Sequence, residues 1–165
     1  MNTPRERTRY DRTIEALSLL ALASTFIPLF FYPELGPETR IPVHFNQAGE
    51  ADGWAGRTFL WQLPLVAAVF YIGLTWLERY YKRFCYPFRV DPSAPAARPV
   101  YRLGVRMMRH LKLFLLLIFS FLAGSSLLIA LGKARELNLH LLALLFAGLF
   151  LSVAVYFVKM LGYKE

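Results

Sequence analysis

Four apolar windows, each long enough to cross a bilayer, constrain this sequence more than any other feature. A membrane-spanning helix needs about 20 mostly apolar residues, with a range of roughly 17–25. Windows at 16–32, 59–77, 113–131 and 139–158 meet that requirement. The chain is 56% hydrophobic, above the roughly 45–50% typical of a soluble domain. The sequence therefore predicts an all-α integral membrane protein, one domain folded as an antiparallel four-transmembrane-helix bundle.

The distribution of basic residues predicts how these spans are oriented. Segments 1–15, 78–112 and 159–165 contain fifteen of the 19 Lys and Arg residues, whereas the connecting segments 33–58 and 132–138 contain four. Cytoplasmic loops carry the excess of Lys and Arg. We therefore expect both termini in the cytoplasm and the two connecting segments on the outer side.

The arginine-rich start of the chain has an alternative interpretation as a signal peptide. Its apolar window is longer than the usual ~7–15-residue core of such a peptide, and it meets Pro28 where a cleavage site needs small residues. We therefore treat 16–32 as the first span. The single cysteine, Cys85, excludes an internal disulfide.

Two sets of arginines at helical spacing, which we call the basic stripes, lie just before the first and third spans. The second follows a proline-rich linker at 91–99 and lies on a predicted helix that can continue into the third span. The first interpretation is binding to anionic lipid headgroups, and the alternative is docking of a cytoplasmic protein. Because the stripes flank apolar spans and form no soluble reading face, no nucleic-acid partner is expected. Their residues are Arg5, Arg9 and Arg12, then Arg102, Arg106 and Arg109.

Charged side chains inside a bilayer are costly and usually mark ion or proton paths. Here Glu15, Glu78, Lys112 and Lys159 lie at the ends of the windows, where we expect them to reach the membrane interface. Small residues such as Ser120 mark the expected helix contacts. We therefore do not predict that the monomer is a pump. The sequence does not decide whether the chain forms a homo-oligomer.

The connecting segment 33–58 contains the most specified stretch of the chain, which reads IPVHFNQAGEADGW at 41–54. We expect a short strand-like run at 41–45, a turn at 46–49 and a second tight turn at Asp52-Gly53. The stretch predicts a compact outer loop whose binding or structural residues are Ile41, Pro42, His44, Phe45, Asn46, Gly49, Glu50, Asp52, Gly53 and Trp54.

This pattern resembles the bacterial family called domain of unknown function 1648. Tyr86-Pro87 and the stretch 101–112 are similar to the usual continuation of such proteins. The resemblance implies a bacterial cytoplasmic (inner) membrane protein. Related domains form the N-terminal part of the larger SdpI-type proteins, which act in immunity to a secreted peptide toxin and in signalling to a repressor.

The loop also carries groups that can bind a cation, namely His44, Glu50 and Asp52, and His140 enters the fourth span on the same side. Their spacing matches none of the standard zinc motifs, and no nucleophile motif is present. We therefore expect no metal, no cofactor and no enzyme, and a metal-dependent membrane enzyme is the weakest of three hypotheses.

Two functional hypotheses rank above it. The first is a small multi-pass inner-membrane protein whose outer loop recognises or shields against an extracytoplasmic peptide or envelope component, in an immunity-like or signalling-like role. The second is a subunit of a membrane transport complex. The sequence does not identify the partner of the loop, the oligomeric state or the pathway.

Overall fold

The computed structural model describes residues 8–84 and 97–163, with side chains over 8–80 and 99–163. Arg5, Cys85, Tyr86-Pro87 and most of the linker at 91–99 lie outside the described residues. The elements are α1 (Arg9–Thr25), α2 (Ile27–Phe30), β1 (Arg40–Phe45), β2 (Ala51–Gly56), α3 (Gln62–Phe84), α4 (Ala97–Ala130) and α5 (Leu139–Leu161).

The mostly helical fold is confirmed, because α1, α3, α4 and α5 provide four stretches long and apolar enough to cross a membrane. The description as all-α is too narrow. Strands β1 and β2 pair as a small antiparallel sheet between the first and second of these stretches. We call residues 40–56 the hairpin.

Local chemistry sets both ends of α1. At its start, the Thr8 hydroxyl accepts a hydrogen bond from the Asp11 backbone N–H, and the Asp11 carboxylate accepts one from the Thr8 N–H. This reciprocal capping satisfies two backbone donors that a helix end otherwise leaves open. α1 ends at Thr25 because Pro28 has no N–H to continue the ladder. The short helix α2 and a 3₁₀ turn then lead towards the hairpin.

Helix α4 is the centre of the structure. It contacts α1, α3 and α5. It joins the predicted basic helix to the third span without a break, and its 34 residues make a rod about 51 Å long. A hydrocarbon core is about 30 Å thick. One end of α4 must therefore extend well beyond the apolar layer.

Side-chain contacts give the relative directions of the helices. Asp11 and Ser24 of α1 contact Arg109 and Ser120 of α4, so α1 and α4 run the same way. α3 runs the opposite way, since its Glu78 contacts Arg109 whereas the earlier residue Ala67 clusters with the later residue Leu116. Between these levels, a buried cluster joins α1, α3 and α4 through Ala21, Ala67 and Leu116.

Helix α5 packs on α4 by one face. A side chain at Gly148 would collide with the Phe114 ring, so the small residue there permits close approach of the two helices. Only 6% of the most apolar window of α5 is buried. Its remaining surface therefore suits contact with lipid.

Candidate functional site: the hairpin and the buried ion-pair cluster

The hairpin begins with the extended run that the sequence predicts. Strand β1 spans Arg40–Phe45, and its last residue lies opposite Ala51 of β2. The predicted turn at Asp52-Gly53 is wrong, because both residues lie within β2. A Cβ atom at Gly53 would stand 2.8 Å from the His44 Cβ. Glycine is therefore needed there for close approach of the two strands.

Asn46 organises the turn between the strands. Its Oδ1 accepts hydrogen bonds from the backbone N–H groups of Ala48 (2.9 Å) and Glu50 (3.0 Å). Its Nδ2 donates to the Glu50 carboxylate at 2.9 Å. Gly49 completes the turn with a positive φ of 85°, a conformation that glycine adopts without steric cost. The predicted turn at 46–49 is thus confirmed.

One face of the hairpin is fixed to the helices. Ile41 is 1% exposed, and full burial of such a side chain is worth about 1.5–3 kcal/mol. The Ser126 hydroxyl of α4 donates to the Pro42 carbonyl at 3.2 Å. Arg57, after β2, donates to the Leu35 carbonyl at 2.8 Å. The apolar cluster below the hairpin consists of Leu35, Ile41, Leu60 and Leu127.

The turn also contacts the loop between α4 and α5. The Leu137 N–H donates to the Gly49 carbonyl at 2.8 Å, and Glu50 forms an isolated β-bridge with Glu136. A Cβ atom at Gly49 would stand 2.6 Å from the Leu137 carbonyl oxygen. The hairpin is therefore held at both its strands and its tip.

The opposite face of the hairpin is open. His44 Nδ1 and Asp52 Oδ1 are 2.5 Å apart, with side chains 73% and 45% exposed. Trp54 follows on β2 and is 44% exposed. Even a charged pair at such an exposed site contributes little to stability, about 0–1 kcal/mol. These three side chains are therefore available for contact with a partner.

The candidate cation ligands form separate pairs. His44 contacts Asp52, whereas Glu50 contacts Asn46, and His140 is exposed at the start of α5. Within residues 8–84 and 97–163, no three His, Cys, Asp or Glu side chains converge as metal ligands. A metal-dependent enzyme thus stays a hypothesis from the sequence.

The two basic stripes differ from the prediction in one respect. Arg9, Arg12 and Arg102 are exposed, as binding to headgroups or a partner requires. Arg106 and Arg109 turn towards α1 instead, and each pairs with the Asp11 carboxylate, at 3.1 and 2.9 Å. Arg109 is 4% exposed and therefore cannot reach headgroups or a docking partner in this arrangement.

Lys112 lies at the centre of a buried ion-pair cluster. Its ammonium group is 2.9 Å from both the Glu15 and the Glu78 carboxylates and 3.0 Å from the Thr75 hydroxyl. The side chain is completely buried. The charged groups of Lys112 and Glu78 therefore lie between the helices and are not directed towards headgroups or solvent. Burial of an ammonium group requires such pairing because desolvation of an isolated charge is very costly.

The cluster is balanced in charge. Glu78 also accepts from Arg109 Nε at 3.1 Å, which links the lysine to the arginines. On the other side, the Tyr71 hydroxyl donates to Glu15 at 2.7 Å. We define the ion-pair cluster as Asp11, Glu15, Glu78, Arg106, Arg109 and Lys112.

The spacing of the charged residues contains a signal for this cluster. Asp11 and Glu15 are four residues apart, and Arg106, Arg109 and Lys112 recur at three-residue intervals. Each set therefore shares one helix face. In a chain with 19 basic and 11 acidic residues, acids placed at the ends of two spans have ready partners on a third.

Together, four apolar helices, an inward-facing ion-pair cluster and a hairpin at the helix ends define a multi-pass membrane protein. Residues 19–68 match the family described as Domain of unknown function (DUF1648). The match covers the end of α1, the hairpin and the start of α3, so the predicted resemblance is confirmed there. Comparison with curated proteins found no match, and comparison with solved structures found none. The similarity to SdpI-type proteins stays an expectation.

Replacement of Lys112 tests the cluster. We expect Lys112→Met to destabilise the protein by about 3–5 kcal/mol, because Glu15 and Glu78 lose their buried counter-charge. The measurement is thermal or denaturant unfolding in detergent. Lys133→Met, at an exposed loop lysine, is the control and should change stability by about 0.5 kcal/mol or less. Equal effects of the two substitutions on stability would contradict the assignment of Lys112 to a buried ion-pair cluster.

Replacement of Gly49 tests the tip of the hairpin. Gly49→Ala forces a side chain into a left-handed conformation, which costs about 1–2 kcal/mol, and against the Leu137 carbonyl. We expect faster amide hydrogen exchange across residues 40–56. Gly56→Ala is the control, since a Cβ atom at Gly56 meets nothing within 4 Å. Unchanged exchange in Gly49→Ala would refute the contact.

Proposed function

We propose that this chain is a bacterial inner-membrane protein whose hairpin recognises or shields against an extracytoplasmic peptide or envelope component. The supporting observation is the open His44–Asp52 pair beside Trp54, on a hairpin whose other face is buried against the helices. The exposed side chains of this face are not needed for packing, and the hairpin that carries them is held in place by the helices. Such a surface is suited to recognition. The role is immunity-like or signalling-like, without a catalytic step.

The proposal includes both termini in the cytoplasm. Trp61 and Tyr80 are exposed near the two ends of α3, about 28 Å apart along the helix. That separation is close to the ~30 Å hydrocarbon thickness, and aromatic rings favour the two interfaces. In this proposal the hairpin lies just outside one interface. The excess of Lys and Arg in 1–15 and 78–112 favours the cytoplasmic side for the other interface.

A transport subunit remains the second candidate, since ionisable residues buried within spans often serve ion pathways. The ion-pair cluster is the observation that favours it. However, the next layer along the helices towards the hairpin contains Ala21, Ala67 and Leu116. An apolar layer of this kind interrupts a polar path, so the recognition hypothesis ranks first.

Cysteine labelling in intact cells tests the orientation. Ala48 is exposed at the hairpin tip, and Ala48→Cys in a Cys85→Ser background should react with a membrane-impermeant maleimide. The wild-type chain, whose single cysteine is Cys85, is the separate control and should react only after permeabilisation. Labelling of Cys85 but not of the residue at position 48 in intact cells would reverse the proposed topology.

Complementation tests recognition. Deletion of the gene should sensitise cells to at least one member of a panel of membrane-active bacterial peptides. His44→Ala and Asp52→Ala should fail to restore resistance although the protein accumulates normally, because they remove the exposed pair. Glu38→Ala, at an exposed residue before the hairpin, is the control and should restore it. Full restoration by the His44→Ala, Asp52→Ala double variant would count against the proposal.

A further inference from the structure

The second strand of the hairpin has an open edge. β2 pairs with β1 along one side. Across the described ranges 8–84 and 97–163, no backbone hydrogen bond joins residues 52–56 to a third segment. An unpaired strand edge presents a row of N–H and C=O groups that can pair with another extended chain.

Pro42 determines which groups face that edge. It has no N–H, so it cannot exchange hydrogen bonds with its partner on β2, and its carbonyl accepts from Ser126 of α4. Its partner across the ladder is Trp54. In an antiparallel pair without mutual hydrogen bonds, both residues direct their backbone groups away from each other. The N–H and C=O of Trp54 therefore point to the open edge.

A third segment of the chain already pairs with the hairpin just before β2. Leu137 donates its N–H to the Gly49 carbonyl, and Glu136 bridges Glu50 in antiparallel orientation. A third segment thus pairs with the two residues that precede β2, and residues 52–56 have no such backbone partner within the described ranges. This pairing shows that the hairpin geometry accepts a neighbour on that side.

The composition of β2 leaves the edge accessible. Natural edge strands are commonly protected by Lys, Pro or a covering element. β2 reads ADGWAG, with no lysine or proline and four residues no larger than alanine. Trp54 is its one large side chain and is partly exposed. The strand therefore offers its backbone together with an aromatic ring.

We propose that an extended peptide segment binds the hairpin as a third strand along residues 52–56. The Trp54 backbone supplies the central hydrogen bonds, and the His44–Asp52 pair and the Trp54 ring contact the peptide side chains. Strand addition of this kind takes its affinity from main-chain hydrogen bonds and its specificity from side-chain contacts. This inference rests on the proposed function and specifies its partner as a peptide in extended conformation.

Two substitutions at one position separate backbone pairing from side-chain recognition. Trp54→Ala removes the ring and keeps the N–H, whereas Trp54→Pro removes both. Because the Trp54 N–H is not used by β1, proline should leave the hairpin ladder intact. The probe is a fluorescein-labelled peptide of alternating threonine and valine, measured by anisotropy against the full chain in lipid nanodiscs. We expect Trp54→Pro to bind about tenfold more weakly than Trp54→Ala.

A second experiment leaves the protein unchanged. An added strand directs alternate N–H groups towards the sheet, so N-methylation of one alternating set should abolish binding to the wild-type chain, and methylation of the other set should preserve it. This comparison decides the question even where Trp54→Pro fails to fold. Equal binding of the two methylated peptides, or no saturable binding of the parent peptide, would overturn strand addition.

The outcomes also distinguish this inference from the proposed function. If His44→Ala and Asp52→Ala lose protection in cells while Trp54→Pro binds the peptide as Trp54→Ala does, recognition stands and strand addition fails. If nanodiscs that hold two copies show copies crosslinked through β2 and no peptide binding, the edge pairs with a second copy and the inference is wrong.

Discussion

The packing of three helices depends on the pairing of Lys112 with Glu15 and Glu78 in a place without water. In a bilayer, lipid tails are as apolar as leucine, so the hydrophobic effect does little to bring spans together. A completely buried ammonium group between two carboxylates gives α1, α3 and α4 a fixed register. Arg109 and Asp11 extend the same pairing to the start of α1. The smaller contacts, such as Ser24 with Ser120, then need only close packing.

The far end of the same helices supports a different kind of structure. Irregular backbone is tolerated at a membrane only where its polar groups have partners. In the hairpin, the strands pair with each other, Asn46 satisfies the turn, and Ser126 satisfies the Pro42 carbonyl. The helices therefore carry a folded hairpin at one end and are joined by ion pairs at the other.

The sequence predicted those features that depend on local pattern. The length of the apolar windows predicted the four spans. Pro42 predicted the extended run, and Asn46 predicted the turn. The predictions failed where distant residues decide the outcome. Gly53 has the chemistry of a turn, but its position opposite His44 makes it a strand residue. Arg109 has the spacing of a surface stripe and Lys112 lies at the end of an apolar window, yet their partners are acids from α1 and α3 that only the fold brings near.

The charges of the ion-pair cluster are separated by sign along the chain. Its three carboxylates all come from residues 8–84, and its three basic groups all come from residues 97–163. Neither half alone can neutralise its own inward-facing charges. The two halves are thus electrostatic complements, as two subunits of a heterodimer would be. If the backbone were broken between the two halves, the residues that form these ion pairs would all still be present.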